Sequence, residues 1–170
     1  MGELTRLIKT MLEQREGEEV DFKQEFEPST EFFVEIAKDI MAFANTNGGC
    51  IIFGFEDQTL SLTGVSRCNL SDIRQSDIEN ALWKLLGRVR FKWVVGEYKG
   101  KPVAIIQVPQ GDQPIIAIRD GNYTVQGRTK SAFRQGDIYV RRGSQSVRAT
   151  ELADYLRLFP SAQSSLPLVF

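Results

Sequence analysis

The stretch from Ala42 to Asp57 (AFANTNGGCIIFGFED) constrains the fold more than any other, because a helix end, a glycine turn, an apolar strand and a carboxylate follow one another without a gap. Asn45 to Gly49 supplies two asparagines and two glycines, residues that tolerate positive φ and so let a helix stop and the chain reverse. Cys50 to Phe55 (CIIFGF) then reads as a buried strand. Upstream, Glu16 to Lys23 (EGEEVDFK) sets further carboxylates and a lysine around a second, shorter strand. If the two segments meet, they form one acidic constellation at strand ends.

The remaining pattern is α+β. Leu4, Leu7, Ile8, Met11 and Leu12 predict an amphipathic helix over 3–14. Pro28, Ser29 and Thr30 offer helix-start chemistry for a long helix through Phe32 to Ala44. A further helix is expected over Ser71 to Val89, with Ser71 and Asp72 as caps. Phe91 to Tyr98 and Pro102 to Val108 form a hairpin around Lys99-Gly100-Lys101, and Trp83 and Trp93 belong to the core. Short strands are expected at Pro114 to Ile118 and Gly136 to Val140. Gly121 to Gln135 reads as a loop or irregular hairpin, and Thr150 caps a last helix ending at Phe159. The fold class is therefore a mixed β-sheet flanked by helices. At 170 residues and 42% hydrophobic, the chain fits one domain, 1–159, with 160–170 a tail or linker.

Histidine is absent, which removes Ser-His-Asp and Cys-His catalysis and any imidazole-bound zinc. Cys50 and Cys68 lack CxxC spacing and read as reduced structural thiols. Chemistry here would rest on carboxylates, lysine, hydroxyls or a hard metal. No run approaches the roughly 20 apolar residues of a membrane helix, and no secretory core opens the chain, so a cytoplasmic protein with no membrane partner is expected. The NTNGG turn lies between helix and strand with no following G-K-[ST], whereas a phosphate-binding P-loop runs from strand to helix.

The net charge of -1 hides an asymmetry. Residues 1–60 carry 13 Asp/Glu against 5 Lys/Arg, and residues 61–170 carry 9 against 16. A basic half containing Arg88, Arg90, Lys92, Lys99, Lys101, Arg128, Lys130, Arg134, Arg141, Arg142 and Arg148 is what a phosphate-backbone footprint looks like in sequence. Solvated faces balancing an acidic neighbour would read the same way. Arg141 and Arg142 are consecutive on a strand and point to opposite faces, so at most one of them meets a given ligand. Tyr139 shares a face with Arg141, which suits stacking beside a phosphate.

Three pieces together, E-x4-[DE]-F-K at Glu16 to Lys23, AFANTNGG with its following strand, and the late IYVRRGS, resemble the Schlafen AlbA-type DNA-binding domain family. The resemblance covers roughly Glu13 to Leu158. It implies a nucleic-acid-binding domain of α/β build, acting on DNA or RNA as a module of a transcriptional regulator. Animal relatives set two such lobes side by side, so a homodimer is expected of a single lobe. Some of those relatives are metal-dependent endoribonucleases cutting structured RNA such as tRNA. Carried over by motif, the resemblance implies Glu16, Asp21 and Asp57 as ligands of Mg2+ or Mn2+, with Lys23 beside them as a catalytic cation. Asp21 stands where the family usually has glutamate, one methylene longer.

The residues themselves leave two readings of the acidic segment. Carboxylates converging in a dry pocket repel one another, and a divalent cation is the usual remedy. Equally, Glu16, Glu18 and Glu19 form a solvated run and Asp57 caps the turn towards Thr59. Three functions follow: a nucleic-acid-binding module, using Lys99, Lys101, Arg128, Lys130, Arg134, Arg141 and Arg142; a three-carboxylate endoribonuclease; or an oligomerisation domain whose charged halves attract each other.

Overall fold

The structure, a computed structural model, describes residues 2–159. The expected tail, 160–170, lies outside the described residues.

Helix α1 (Glu3–Gln14) leads to strand β1 (Val20–Lys23), helix α2 (Thr30–Ala44) and strand β2 (Gly49–Phe53). Ser29 caps α2 by accepting from the Phe32 N–H at 3.2 Å. Strands β1 and β2 pair in parallel, with Asp21 opposite Ile51 and Lys23 opposite Phe53, which is why a helix must connect them. A 3-10 turn (Leu70–Asp72) and α3 (Gln75–Leu86) precede the hairpin of β3 (Lys92–Tyr98) and β4 (Lys101–Val108). The sheet order is β1-β2-β4-β3, with β4 antiparallel to both neighbours. Two small hairpins follow, β5 (Asn122–Val125) with β6 (Arg128–Ser131) and β7 (Tyr139–Arg142) with β8 (Gln145–Arg148), then α4 (Leu152–Leu158).

Alternation along the strands divides the core. Val20, Phe22, Ile52 and Ile105 pack against Ile8 and Met11 of α1, while Ile51, Phe53, Ala104 and Ile106 pack against α2 and α3. Helix α2 touches the sheet, α3 and strands β5, β7 and β8. A helix covered on so many sides must be apolar nearly all round, and FFVEIAKDIMAFA buries eight residues between Val34 and Ala44.

Several expectations need correction. The third helix starts at Gln75, where the Arg74 N–H donates to Asp77 Oδ2 at 2.9 Å, and Ser71 and Asp72 lie in the preceding 3-10 turn. Residues 114–118 are irregular, held by the Asn45 side chain at Ile115 and by scattered backbone bonds of Ala117 and Ile118 instead of a sheet ladder. The strand expected over 136–140 is displaced to Tyr139–Arg142 and pairs with β8, an element the sequence pattern did not suggest. Within the segment expected as a loop or irregular hairpin, residues 122–131 form a regular hairpin. Glu151, not Thr150, caps α4. Trp83 and Trp93 are partly buried and packed on the core, as expected.

Gly49 is required by its neighbours, not by its backbone angles. A Cβ there would press into the Phe43 ring and stand 2.6 Å from the Glu19 carbonyl oxygen. Gly49→Ala should therefore cost about 2 kcal/mol by over-packing, read as a lower denaturant midpoint at unchanged slope. A midpoint equal to wild type would show that the contact yields without cost.

Candidate functional site

Strand β1 turns Val20 and Phe22 towards α1, so Asp21 and Lys23 face α2. There the Lys23 ammonium lies 3.0 Å from Asp21 Oδ2 and 3.0 Å from Asp39 Oδ2. Asp39 Oδ1 in turn accepts from the Ser146 hydroxyl of β8 at 2.6 Å, and the Arg141 guanidinium donates to the same hydroxyl at 3.1 Å. A chain of polar contacts thus joins β1, α2, β7 and β8. Burial works against the Lys23 ammonium, yet the two carboxylates outweigh it and hold its pKa well above the ordinary lysine range.

Glu16 and Asp57 meet elsewhere. Both line a recess of about 500 Å³ at the C-terminal end of α1, together with Arg15 and Thr59. Partial desolvation, then the charge of Asp21, then that of Asp57 push the Glu16 carboxyl up, against a long bond from the Phe22 N–H at 3.4 Å. Asp57 is exposed, and the neighbouring Glu56, not Asp57, caps the turn by accepting from the Thr59 N–H at 2.7 Å. Glu16 is therefore within electrostatic reach of both partners, while Asp21 is engaged by Lys23.

Oxygen donors of this kind suit Mg2+ or Mn2+, but the arrangement does not cage an ion. Asp21 has Lys23 at its carboxylate, and among the described residues no three Asp, Glu or Cys side chains stand close enough to hold a metal together. Cys50 is buried, which pushes its thiol up to about 11, and both cysteines are free. Neither is an activated nucleophile.

The basic candidates separate clearly. Lys99, Lys101, Arg128, Lys130 and Arg134 are exposed, and none forms an ion pair among the described residues. Arg141 is 3% exposed. Its guanidinium lies 4.5 Å from the centre of the Phe43 ring and donates to the Gly17 carbonyl at 2.6 Å, so it joins the N-terminal segment to β7 and does not face solvent. Arg142 points outward, as alternation requires, but pairs with Asp154 at 2.8 Å. Tyr139 donates its hydroxyl to the Ala132 carbonyl at 3.1 Å, which places it in the fold's internal bonding.

Asp39 was not among the residues singled out from sequence. Its signal is a carboxylate inside the otherwise apolar stripe Ile36, Ile40 and Phe43, at a position no solvated face requires.

The two signature segments bind each other. Asn45 Nδ2 donates to the carbonyls of Ile115 and Tyr139, both at 2.9 Å, and its Oδ1 accepts from the Ile115 N–H at 2.7 Å. Thr46 Oγ1 accepts from the Arg141 N–H at 2.9 Å. AFANT and YVRR are thus two halves of one joint. The Schlafen AlbA_2 family model matches residues 16–150, which span both halves, and the chain belongs to that family.

An uncharacterized ATP-binding protein of Ureaplasma parvum is 33% identical over 147 residues, covering 80% of this chain and 40% of that protein. The chain thus spans about two fifths of that relative's length. Among solved structures, the N-terminal domain of a RecG-related protein of Nitrosomonas europaea shares the fold with a TM-score of 0.51 at 18% identity, covering 89% of this chain and 95% of that domain. The DIP2311 protein of Corynebacterium diphtheriae aligns at a TM-score of 0.45 and 22% identity, over 68% of this chain and 25% of that one. No described helix is long and apolar enough to cross a membrane.

Proposed function

We propose that this domain binds nucleic acid through phosphate contacts from its second half. The observation that carries the reading is the state of the cations. From Lys84 to Arg134 every lysine and arginine is exposed, and none forms an ion pair among the described residues. The carboxylates of the first half do not neutralise them, so their field reaches solvent. Family membership and the RecG-related fold neighbour agree with that reading. Binding should weaken steeply with salt, log K falling linearly with log salt as counterions are released. Fluorescence anisotropy at several salt concentrations measures this, and an affinity indifferent to salt would remove the proposal.

A metal-dependent endoribonuclease acting on RNA such as tRNA is the second reading. Its support is that Asp21 and Asp57 both raise the Glu16 carboxyl, so the three motif carboxylates share one electrostatic neighbourhood. It requires Asp21 to leave Lys23 before Mg2+ or Mn2+ can enter. Cutting of tRNA that needs Mn2+, stops with EDTA and is lost in Asp57→Asn would promote it. A homodimer rests on the opposite charge of the two halves, and sedimentation at moderate salt reads it directly.

A further inference from the structure

One recess is larger than the acidic one. It is a groove of about 580 Å³ between the end of α3 and the irregular segment 109–118. Arg88, Arg90, Ile116 and Ile118 all contribute to its lining. Both isoleucines are exposed, by 41% and 47%, and they add apolar surface to the groove. Arg90 and Pro109 also line a second recess of about 520 Å³, which continues to Lys92 and Gln107 at the end of the sheet. The two recesses thus adjoin at Arg90 and Pro109 and are taken together as one channel.

Charge favours an anionic occupant. Arg88, Arg90 and Lys92 are exposed and make no ion pair among the described residues, and Asp112 is the one carboxylate among the residues lining the two recesses. Arg88 also lies 5.5 Å from the Trp83 ring centre, which orients its guanidinium without neutralising it. The apolar wall decides which anion. A duplex presents phosphates and sugars and hides its base faces, whereas an unpaired strand offers both phosphates and apolar base faces. A channel lined by both exposed cations and exposed isoleucines matches the second.

We infer that this channel takes an unpaired strand of nucleic acid, its phosphates on Arg88, Arg90 and Lys92 and its bases against Ile116 and Ile118. The inference rests on the nucleic-acid reading above and locates its contacts. No aromatic side chain is exposed on the wall, so the bases are packed rather than stacked, and sequence preference is weak.

The test is anisotropy of the full chain with a labelled single-stranded oligonucleotide and with a hairpin duplex of the same composition. Arg88→Ala/Arg90→Ala changes two exposed side chains, and circular dichroism checks that the variant folds. Single-strand affinity should fall at least about tenfold, with the slope of log K against log salt flatter by about 1.4, two phosphates at roughly 0.7 each. Ile118→Ser should weaken single-strand binding without altering that slope. Arg128→Ala/Lys130→Ala on the β5–β6 hairpin, outside the channel lining, should do much less. If wild type binds neither probe, the nucleic-acid reading and the channel fall together. If wild type binds but the Arg88/Arg90 variant is unchanged, or the duplex is preferred, the channel is overturned and the nucleic-acid reading stands.

Discussion

An Asn45→Ala variant should be about 4 kcal/mol less stable than wild type and melt roughly 10 °C lower, the largest loss expected from any single polar side chain here. Asn45 is 7% exposed and makes three hydrogen bonds, all to backbone groups of segments more than 60 residues away. Truncation leaves the Ile115 N–H, the Ile115 carbonyl and the Tyr139 carbonyl without their partner, and each buried unsatisfied group costs about 1–3 kcal/mol. Asn45→Asp separates geometry from bonding. It keeps the acceptor for the Ile115 N–H but turns a charge towards two carbonyls, so it should be no better than alanine. A melting temperature within about 2 °C of wild type for Asn45→Ala would mean that water replaces the amide, and that this joint does not hold the domain together.

That joint shows where sequence reading succeeds and where it stops. Local chemistry was legible: Ser29 before an apolar-periodic run marks the start of α2, Lys99-Gly100 turns the β3–β4 hairpin with both residues at positive φ, and the AFANTNGG turn ends α2 as its glycines require. A structural role for Asn45 was also legible, because asparagine readily holds such turns. Its partners were not, since Ile115 and Tyr139 lie 70 and 94 positions away and carbonyls carry no sequence signature. The same distance misled the reading of IYVRRGS. Alternation correctly split Arg141 from Arg142, but only packing against Phe43 and Gly17 decides that Arg141 faces inward. Pro114 to Ile118 looked like a strand because its apolar residues suit one. Two of them instead wall an open channel, and period alone does not distinguish a core strand from a groove lining.

Within the motif, the placement of Lys23 between two carboxylates bears directly on the proposed function. A lysine meant for a phosphate must be free to reach it, whereas this one sits between Asp21 and Asp39 at 3.0 Å from each. Lys23→Met removes the cation and leaves two like charges facing each other, both less than one fifth exposed. Removing one partner of a fully buried pair costs about 3–5 kcal/mol. Lys23 is 30% exposed and Asp39 keeps its bond from Ser146, so about 3 kcal/mol is expected. The pH dependence has a definite sign. A carboxylate left without its cation has a folded pKa above its unfolded value, so protonation favours the fold, and the deficit of Lys23→Met relative to wild type should shrink as pH falls from about 7 to 5. Adding Asp21→Asn and Asp39→Asn to Lys23→Met should recover more than half of the loss, because the unpaired charges are gone. Chemical denaturation of the three proteins at two pH values measures this. If the triple variant is no more stable than Lys23→Met, the penalty is lost packing of the lysine stem, and the ammonium is free for a ligand. If it recovers, Lys23 is committed to the fold, and contacts to phosphate must come from the exposed cations of the second half.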